Sequence, residues 1–189
     1  MLRHLPNLIT GLRILLVVPL CWLIVDARYD GALLIAAVAG LSDAVDGFLA
    51  KHFGWQSWIG GMLDPIADKL LLTATFITLA LVGEIPAWLA IVVVGRDLVI
   101  VAGATAYHLL IGRFDAAPSR LSKWTTLVQI AFVLIELLRL SGWVPLPLPL
   151  QSGLIGLTAA CTLASGLHYM VIWSGRARRA AQAREASRP

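Results

Sequence analysis

Six apolar stretches, near residues 8–25, 31–50, 61–82, 87–110, 121–140 and 151–174, dominate the chain. Each is close to the roughly 20 residues an α-helix needs to cross a bilayer core of about 30 Å. In hydrocarbon, only a helix or a closed barrel satisfies its own backbone hydrogen bonds. Repeated runs of this length therefore predict an all-α integral membrane protein with six transmembrane helices. Composition agrees, with 59% hydrophobic and 14% charged residues, against the roughly 45–50% apolar content of soluble domains. No linker, low-complexity tract or repeat breaks the pattern. The expected organisation is one membrane domain over residues 1–175 and a basic tail over 176–189. Arg3 precedes an apolar run as in a secretory signal, but Arg13 interrupts that run and no small-residue cleavage pattern follows, which predicts a retained first helix.

Charge placement predicts the orientation. With six spans both termini share one side, and that side collects Arg3, Lys51, Arg113, Arg120, Lys123, Arg176, Arg178, Arg179, Arg184 and Arg188, whereas the other receives Arg28 and Arg139. The positive-inside rule then makes both termini cytoplasmic. The net charge of +4 reads as a topology signal first; a nucleic-acid partner is not expected, because the basic tail lacks interleaved aromatics or a binding motif. Trp22, Trp55, Trp58, Trp88, Trp124, Trp143 and Trp173 fall near span ends, where a headgroup-level belt is expected. Cys21 and Cys161 read as small buried hydrophobes, and His4, His52, His108 and His168 share no ligand spacing.

Acids inside membrane spans are costly, about 2.5–3.5 kcal/mol each on insertion scales, and usually face a cavity and a partner. Four of the eleven acids lie within one 26-residue segment. Asp43 and Asp46 are spaced i, i+3 near the cytoplasmic end of the second span; Asp64 and Asp68 are spaced i, i+4 near the start of the third. Each pair occupies one helical face, and the short segment between Lys51 and Gly60 predicts that the two helices are antiparallel neighbours. Four converging carboxylates repel one another unless protonated or neutralised. An all-oxygen donor set suits hard cations such as Mg²⁺, Mn²⁺ or Ca²⁺. The competing reading pairs these acids with Lys51 and Lys69 as snorkelling helix-end residues. Gly47, Gly60 and Gly61 stand beside the cluster, where a missing side chain permits close approach of a ligand or of a neighbouring helix.

The stretch D-A-V-D-G-F-L-A-K, eight residues, then G-G-M-L-D-P-I-A-D over residues 43–68 resembles the signature of the CDP-alcohol phosphotransferase (phosphatidyltransferase) family, D-x2-D-G-x2-A-R-x8-G-x3-D-x3-D. Asp43, Asp46, Gly47, Ala50, Gly60, Asp64 and Asp68 match in register, and Lys51 stands where the family usually has arginine. The resemblance implies two divalent ions, Mg²⁺ or Mn²⁺, held by Asp43, Asp46, Asp64 and Asp68 and gripping the donor's diphosphate. It further implies that Asp68 is the general base toward the acceptor hydroxyl, that Gly47, Ala50, Lys51 and Gly60 shape the nucleotide pocket, and that the enzyme is a homodimer. Lysine keeps the positive charge but lacks the planar fork of arginine, so weaker or reoriented donor binding is expected.

The opening P-N-L-I-T-G-L-R, with Asn7, Thr10 and Arg13, and the later G-R-D and S-K-W-T-T-L-V-Q stretches resemble the family's cardiolipin synthases and phosphatidylglycerophosphate synthases. That likeness implies CDP-diacylglycerol as donor. Arg96 lies mid-span, with Asp97 expected on another face, so an acceptor phosphate or a structural carboxylate such as Glu136 is its expected partner; Lys123 joins it as a candidate acceptor residue. The phosphatidylglycerophosphate synthases tend to carry further cations where this chain has Ala104 and Thr125. The resemblance therefore leans toward a singly charged lipid acceptor, phosphatidylglycerol, with glycerol 3-phosphate as the alternative. A divalent-cation transporter is the rival of another class; its polar groups would spread across the membrane depth, while the four aspartates gather at one end.

Overall fold

A computed structural model of the chain describes residues 5–53, 58–110 and 119–186, with side chains over 11–42, 67–105 and 119–175. It holds six α-helices: α1 (Leu5–Val25), α2 (Tyr29–Phe53), α3 (Trp58–Leu81), α4 (Ala87–Leu110), α5 (Arg120–Leu140) and α6 (Leu148–Ala186). No strand occurs among the described residues. The first five elements coincide with the first five apolar runs to within a few residues, whereas α6 continues past its run, through the basic segment, to Ala186. Among the described residues, three stretches are long and apolar enough to cross a membrane: Ala87–Thr105, Arg120–Leu140 and Leu148–Gly175. Gly11–Val25 and Tyr29–Ser42 form shorter apolar helices.

The turns after α1, α3 and α5 share one hydrogen-bond pattern. After α5, the N–H of Gly142 donates to the carbonyl of Arg139 at 3.0 Å and that of Trp143 to Leu138 at 3.2 Å, with Gly142 at φ 73°. These paired bonds form the left-handed C-terminal cap in which glycine is favoured. After α3, Gly83 at φ 84° does the same, its N–H reaching Ala80 at 3.2 Å and the next, Glu84, reaching Leu79 at 3.0 Å. After α1 the left-handed position falls on Ala27, φ 55°, again with both bonds made. Such tight turns fold each helix back on its predecessor, and α1 packs on α2, α3 on α4 and α5 on α6.

One adjacency differs from the sequence expectation. Among the described residues α2 and α3 do not pack directly on each other; α1 packs against both. A short connection fixes the order of two helices along the chain but not whether a third helix inserts between them. Leu20, Ile24, Ala32, Phe76, Leu79, Leu89 and Val93 are buried together in one core, with the rings of Phe76 and Phe132 stacked at 5.6 Å.

Polar side chains hold α5 against α6. Gln129 Nε2 donates to Thr162 Oγ1 at 3.0 Å, and Thr125 Oγ1 donates to the carbonyl of Cys161 at 3.2 Å. Interhelical hydrogen bonds of this kind are a recognised glue between helices in lipid. Trp22, Trp88, Trp124 and Trp143 are exposed, as a belt requires. Trp173 departs from that expectation: it packs on α4, where a Cβ added at Gly103 would come within 2.8 Å of its ring.

Candidate functional site

Between α1, α2, α3, α4 and α5 lies a cavity of about 610 Å³. Helices α2 and α3 face each other across it, α2 through Ala36, Ala37, Ala39, Gly40 and Leu41, and α3 through Asp68, Lys69, Leu71, Leu72 and Thr75. The small residues of α2 leave the room, and a site shared by two helices needs that separation. Among the described residues, five charged side chains line the cavity: Arg13, Asp68, Lys69, Arg96 and Asp97. The rest of the wall is mostly apolar, from Leu20, Leu71, Leu72, Ile130, Val133 and Leu134, with Thr75, Thr126 and Gln129 as polar exceptions. Charged groups beside an apolar chamber suit an amphiphile.

Asp68 is the one member of the aspartate set whose side chain is described. It is 44% exposed and forms an ion pair with Arg13, which is 2% exposed. Burial of Arg13 is tolerable because this carboxylate meets its guanidinium. The other three aspartates belong to the same helices, Asp43 and Asp46 to α2 and Asp64 to α3. Their side chains lie outside the described residues, as do those of Asn7, Thr10, Gly47, Ala50, Lys51 and Gly60. Among the described residues there is no cluster of three or more metal-ligating side chains. Asp68 offers at the cavity wall the carboxylate oxygen that hard cations take as a ligand, and Arg13 is the cationic group paired with it.

A second charged group lines the same cavity and includes Lys69, the neighbour of Asp68 on α3. Asp97 Oδ1 accepts from Arg96 Nη1 at 2.6 Å and from Lys69 Nζ at 2.7 Å. Arg96 Nη2 donates to Ser122 Oγ at 2.5 Å and to Ser165 Oγ at 3.0 Å. Arg96 is thus tied to α5 and α6 as well as to its own helix. Sequence reasoning expected Asp97 on another face and Glu136 as a possible partner; both expectations are corrected. A guanidinium on a long stem can fold back to its i+1 neighbour, which a helical-face argument from Cα positions does not capture. Glu136 is occupied elsewhere: its Oε1 accepts from Arg139 Nη2 at 2.7 Å and from Gln151 Nε2 at 2.9 Å.

Lys123 is exposed on the first turn of α5 and is not among the residues lining the cavity. Thr125, one of the two positions where a further cation was looked for, is buried against α6; its neighbour Thr126 lines the cavity instead. The absence of a cation at 125 therefore has no direct bearing on the charge of the cavity. Lys69 and Asp97 were not singled out as site residues from the sequence. Their signal was positional, since Lys69 follows Asp68 and Asp97 follows Arg96.

Comparison with known proteins identifies relatives of the chain. Residues 3–171 match the sequence model of a family described as CDP-alcohol phosphatidyltransferase. A cardiolipin synthase (CMP-forming) / mitochondrial hydrolase fusion protein of Schizosaccharomyces pombe is 31% identical over 88% of this chain and 30% of its own length. A protein of Mycobacterium tuberculosis named probable phosphatidylglycerophosphate synthase is 30% identical over 89% of this chain and 81% of its own. A cardiolipin synthase (CMP-forming) of Streptomyces coelicolor is 32% identical over 74% of this chain and 67% of its own. The chain spans about a third of the length of the first curated relatives it matches.

Proposed function

The chain belongs to the CDP-alcohol phosphatidyltransferase family, and on that premise we propose that it transfers a phosphatidyl group from CDP-diacylglycerol to an alcohol in phospholipid biosynthesis, releasing CMP. The observation that carries this reading is a single cavity that joins Asp68 and Arg13 to an otherwise mostly apolar wall. A diphosphate needs cationic partners and acyl chains need apolar ones, and this cavity offers both. Apolar helices and membrane-enzyme relatives make the chain an integral membrane protein. Six spans, with both termini and the charged side chains toward the cytoplasm, complete the arrangement, in a bacterial inner membrane and as a homodimer.

In the reaction, Asp68 takes the proton of the acceptor hydroxyl. The resulting oxygen forms a new O–P bond at the phosphorus bearing the diacylglycerol, and the anhydride O–P bond breaks, so that CMP departs with the bridging oxygen and its electron pair. Two divalent cations, Mg²⁺ or Mn²⁺, held by Asp43, Asp46, Asp64 and Asp68, neutralise the donor's diphosphate and the departing charge when bound. Arg13 keeps Asp68 in place, and Asn7 and Thr10 extend the same helix toward the donor. Gly47, Ala50, Lys51 and Gly60 border the nucleotide. Arg96, with Lys123 nearer the surface, attracts the acceptor's phosphate.

Phosphatidylglycerol is the favoured acceptor, which makes the reaction that of a cardiolipin synthase; two of the relatives bear that name. Glycerol 3-phosphate is the second reading, favoured by the high two-way coverage of the Mycobacterium tuberculosis relative. The test offers purified protein CDP-diacylglycerol with Mn²⁺ or Mg²⁺ and each acceptor separately. CMP formed with phosphatidylglycerol supports the first reading, and CMP formed with glycerol 3-phosphate supports the second. Metal uptake into protein-containing vesicles with no CMP under either condition would favour a transporter.

A further inference from the structure

We infer that Asp97 sets the charge of the acceptor: it holds the Arg96–Lys69 pair at a single net positive charge, so that a monoanionic phosphodiester is taken in preference to a dianionic phosphomonoester. The inference rests on the phosphatidyl-transfer reading and adds to it a specificity residue. One carboxylate oxygen of Asp97 bridges the two cations, at 2.6 Å from Arg96 and 2.7 Å from Lys69. It occupies the place between them that a phosphate oxygen would otherwise take. Arg96 cannot swing out to follow an incoming ligand without giving up its bonds to Ser122 and Ser165.

Burial gives the charge count its force. The side chain of Arg96 is 4% exposed and that of Asp97 15%, while Lys69 is 42% exposed and forms the open face of the trio. Arg13 and Asp68, the residue before Lys69, compensate each other. The trio of Arg96, Lys69 and Asp97 itself carries one net positive charge. A phosphodiester carries one negative charge and closes that balance. A phosphomonoester carries about −1.5 to −2 near neutral pH, and its excess charge would stay poorly compensated where water is scarce.

A purely structural ion pair would stabilise α4 without altering acceptor choice, so the decisive readout is selectivity. Purified full-length protein and its near-isosteric Asp97→Asn variant are each given CDP-diacylglycerol and Mn²⁺, with CMP release measured against phosphatidylglycerol and against glycerol 3-phosphate. The expected result is a shift of the kcat/KM ratio toward glycerol 3-phosphate by about tenfold, as removal of one nearby negative charge at a partly screened site predicts. Lys69→Gln is expected to move the same ratio the other way, which gives a second reading in case Asp97→Asn folds poorly. A ratio unchanged in both variants overturns the inference, as does an unsubstituted protein that prefers glycerol 3-phosphate. Failure of the unsubstituted protein to release CMP with either acceptor would instead strike the phosphatidyl-transfer reading itself.

Discussion

Arg13 and Asp68 show how much of the chemistry turns on single side chains. A guanidinium this buried requires its carboxylate partner, and the pair lies at the cavity wall where the family resemblance assigns the general base. Further out, Lys51 replaces the usual arginine, so Lys51→Arg is expected to lower the KM for CDP-diacylglycerol several-fold with little change in kcat, because a planar fork grips a phosphate better than a point charge does. An unchanged KM would show that position 51 does not touch the donor. The metal assignment predicts Mn²⁺ binding by the unsubstituted chain and its loss or weakening in Asp64→Asn, measured by titration of the free ion in the absence of substrate. At this scale the family was legible because the spacing of its motif is specific, and Asp68 of that motif lines the cavity. The bond from Arg96 to Asp97 was not, since adjacent helical residues diverge at Cβ and only a long flexible stem brings them back.

Helix ends carry a different kind of information. Gly83 and Gly142 stand at left-handed positions that cap α3 and α5, where any Cβ is strained by roughly 1–2 kcal/mol. Gly142→Ala is therefore expected to destabilise the protein by about 1 kcal/mol, read as a lower thermal midpoint in detergent. Ala27→Gly relieves the same strain after α1 and is expected to leave the midpoint equal or higher. Helix positions were legible in the sequence because each apolar run is long and bounded by turn residues. Helix adjacency was legible only in part: three tight turns identify three packed pairs, but nothing in the sequence between Lys51 and Gly60 announces that α1 packs against both α2 and α3. The small residues Ala36, Ala37, Ala39 and Gly40 on α2 line the cavity, a role that no motif in the sequence marks.

For the molecule as a whole, the charge that most disturbs the predicted orientation is Arg139, and it proves to be neutralised. Its guanidinium donates to Glu84 at 3.0 Å and to Glu136 at 2.7 Å, and Tyr29 donates to Glu84 at 3.2 Å, so one network joins α2, the turn after α3 and α5. Gln151 extends the network to α6. Glu136 is 1% exposed, so Arg139→Met would strand a buried carboxylate and is expected to cost about 3 kcal/mol, seen as a marked fall in thermal stability; a midpoint within a degree or two of the unsubstituted protein would rule that out. Polar bonding thus joins four elements at the end opposite the termini. The most direct test of phosphatidyl transfer at the charged cavity compares CMP release from CDP-diacylglycerol and phosphatidylglycerol by the unsubstituted protein and by Asp68→Asn, each checked for intact folding. The expected outcome is metal-dependent CMP release that falls by roughly 10²–10⁴ when the base is removed. Equal CMP release by the two proteins would contradict it.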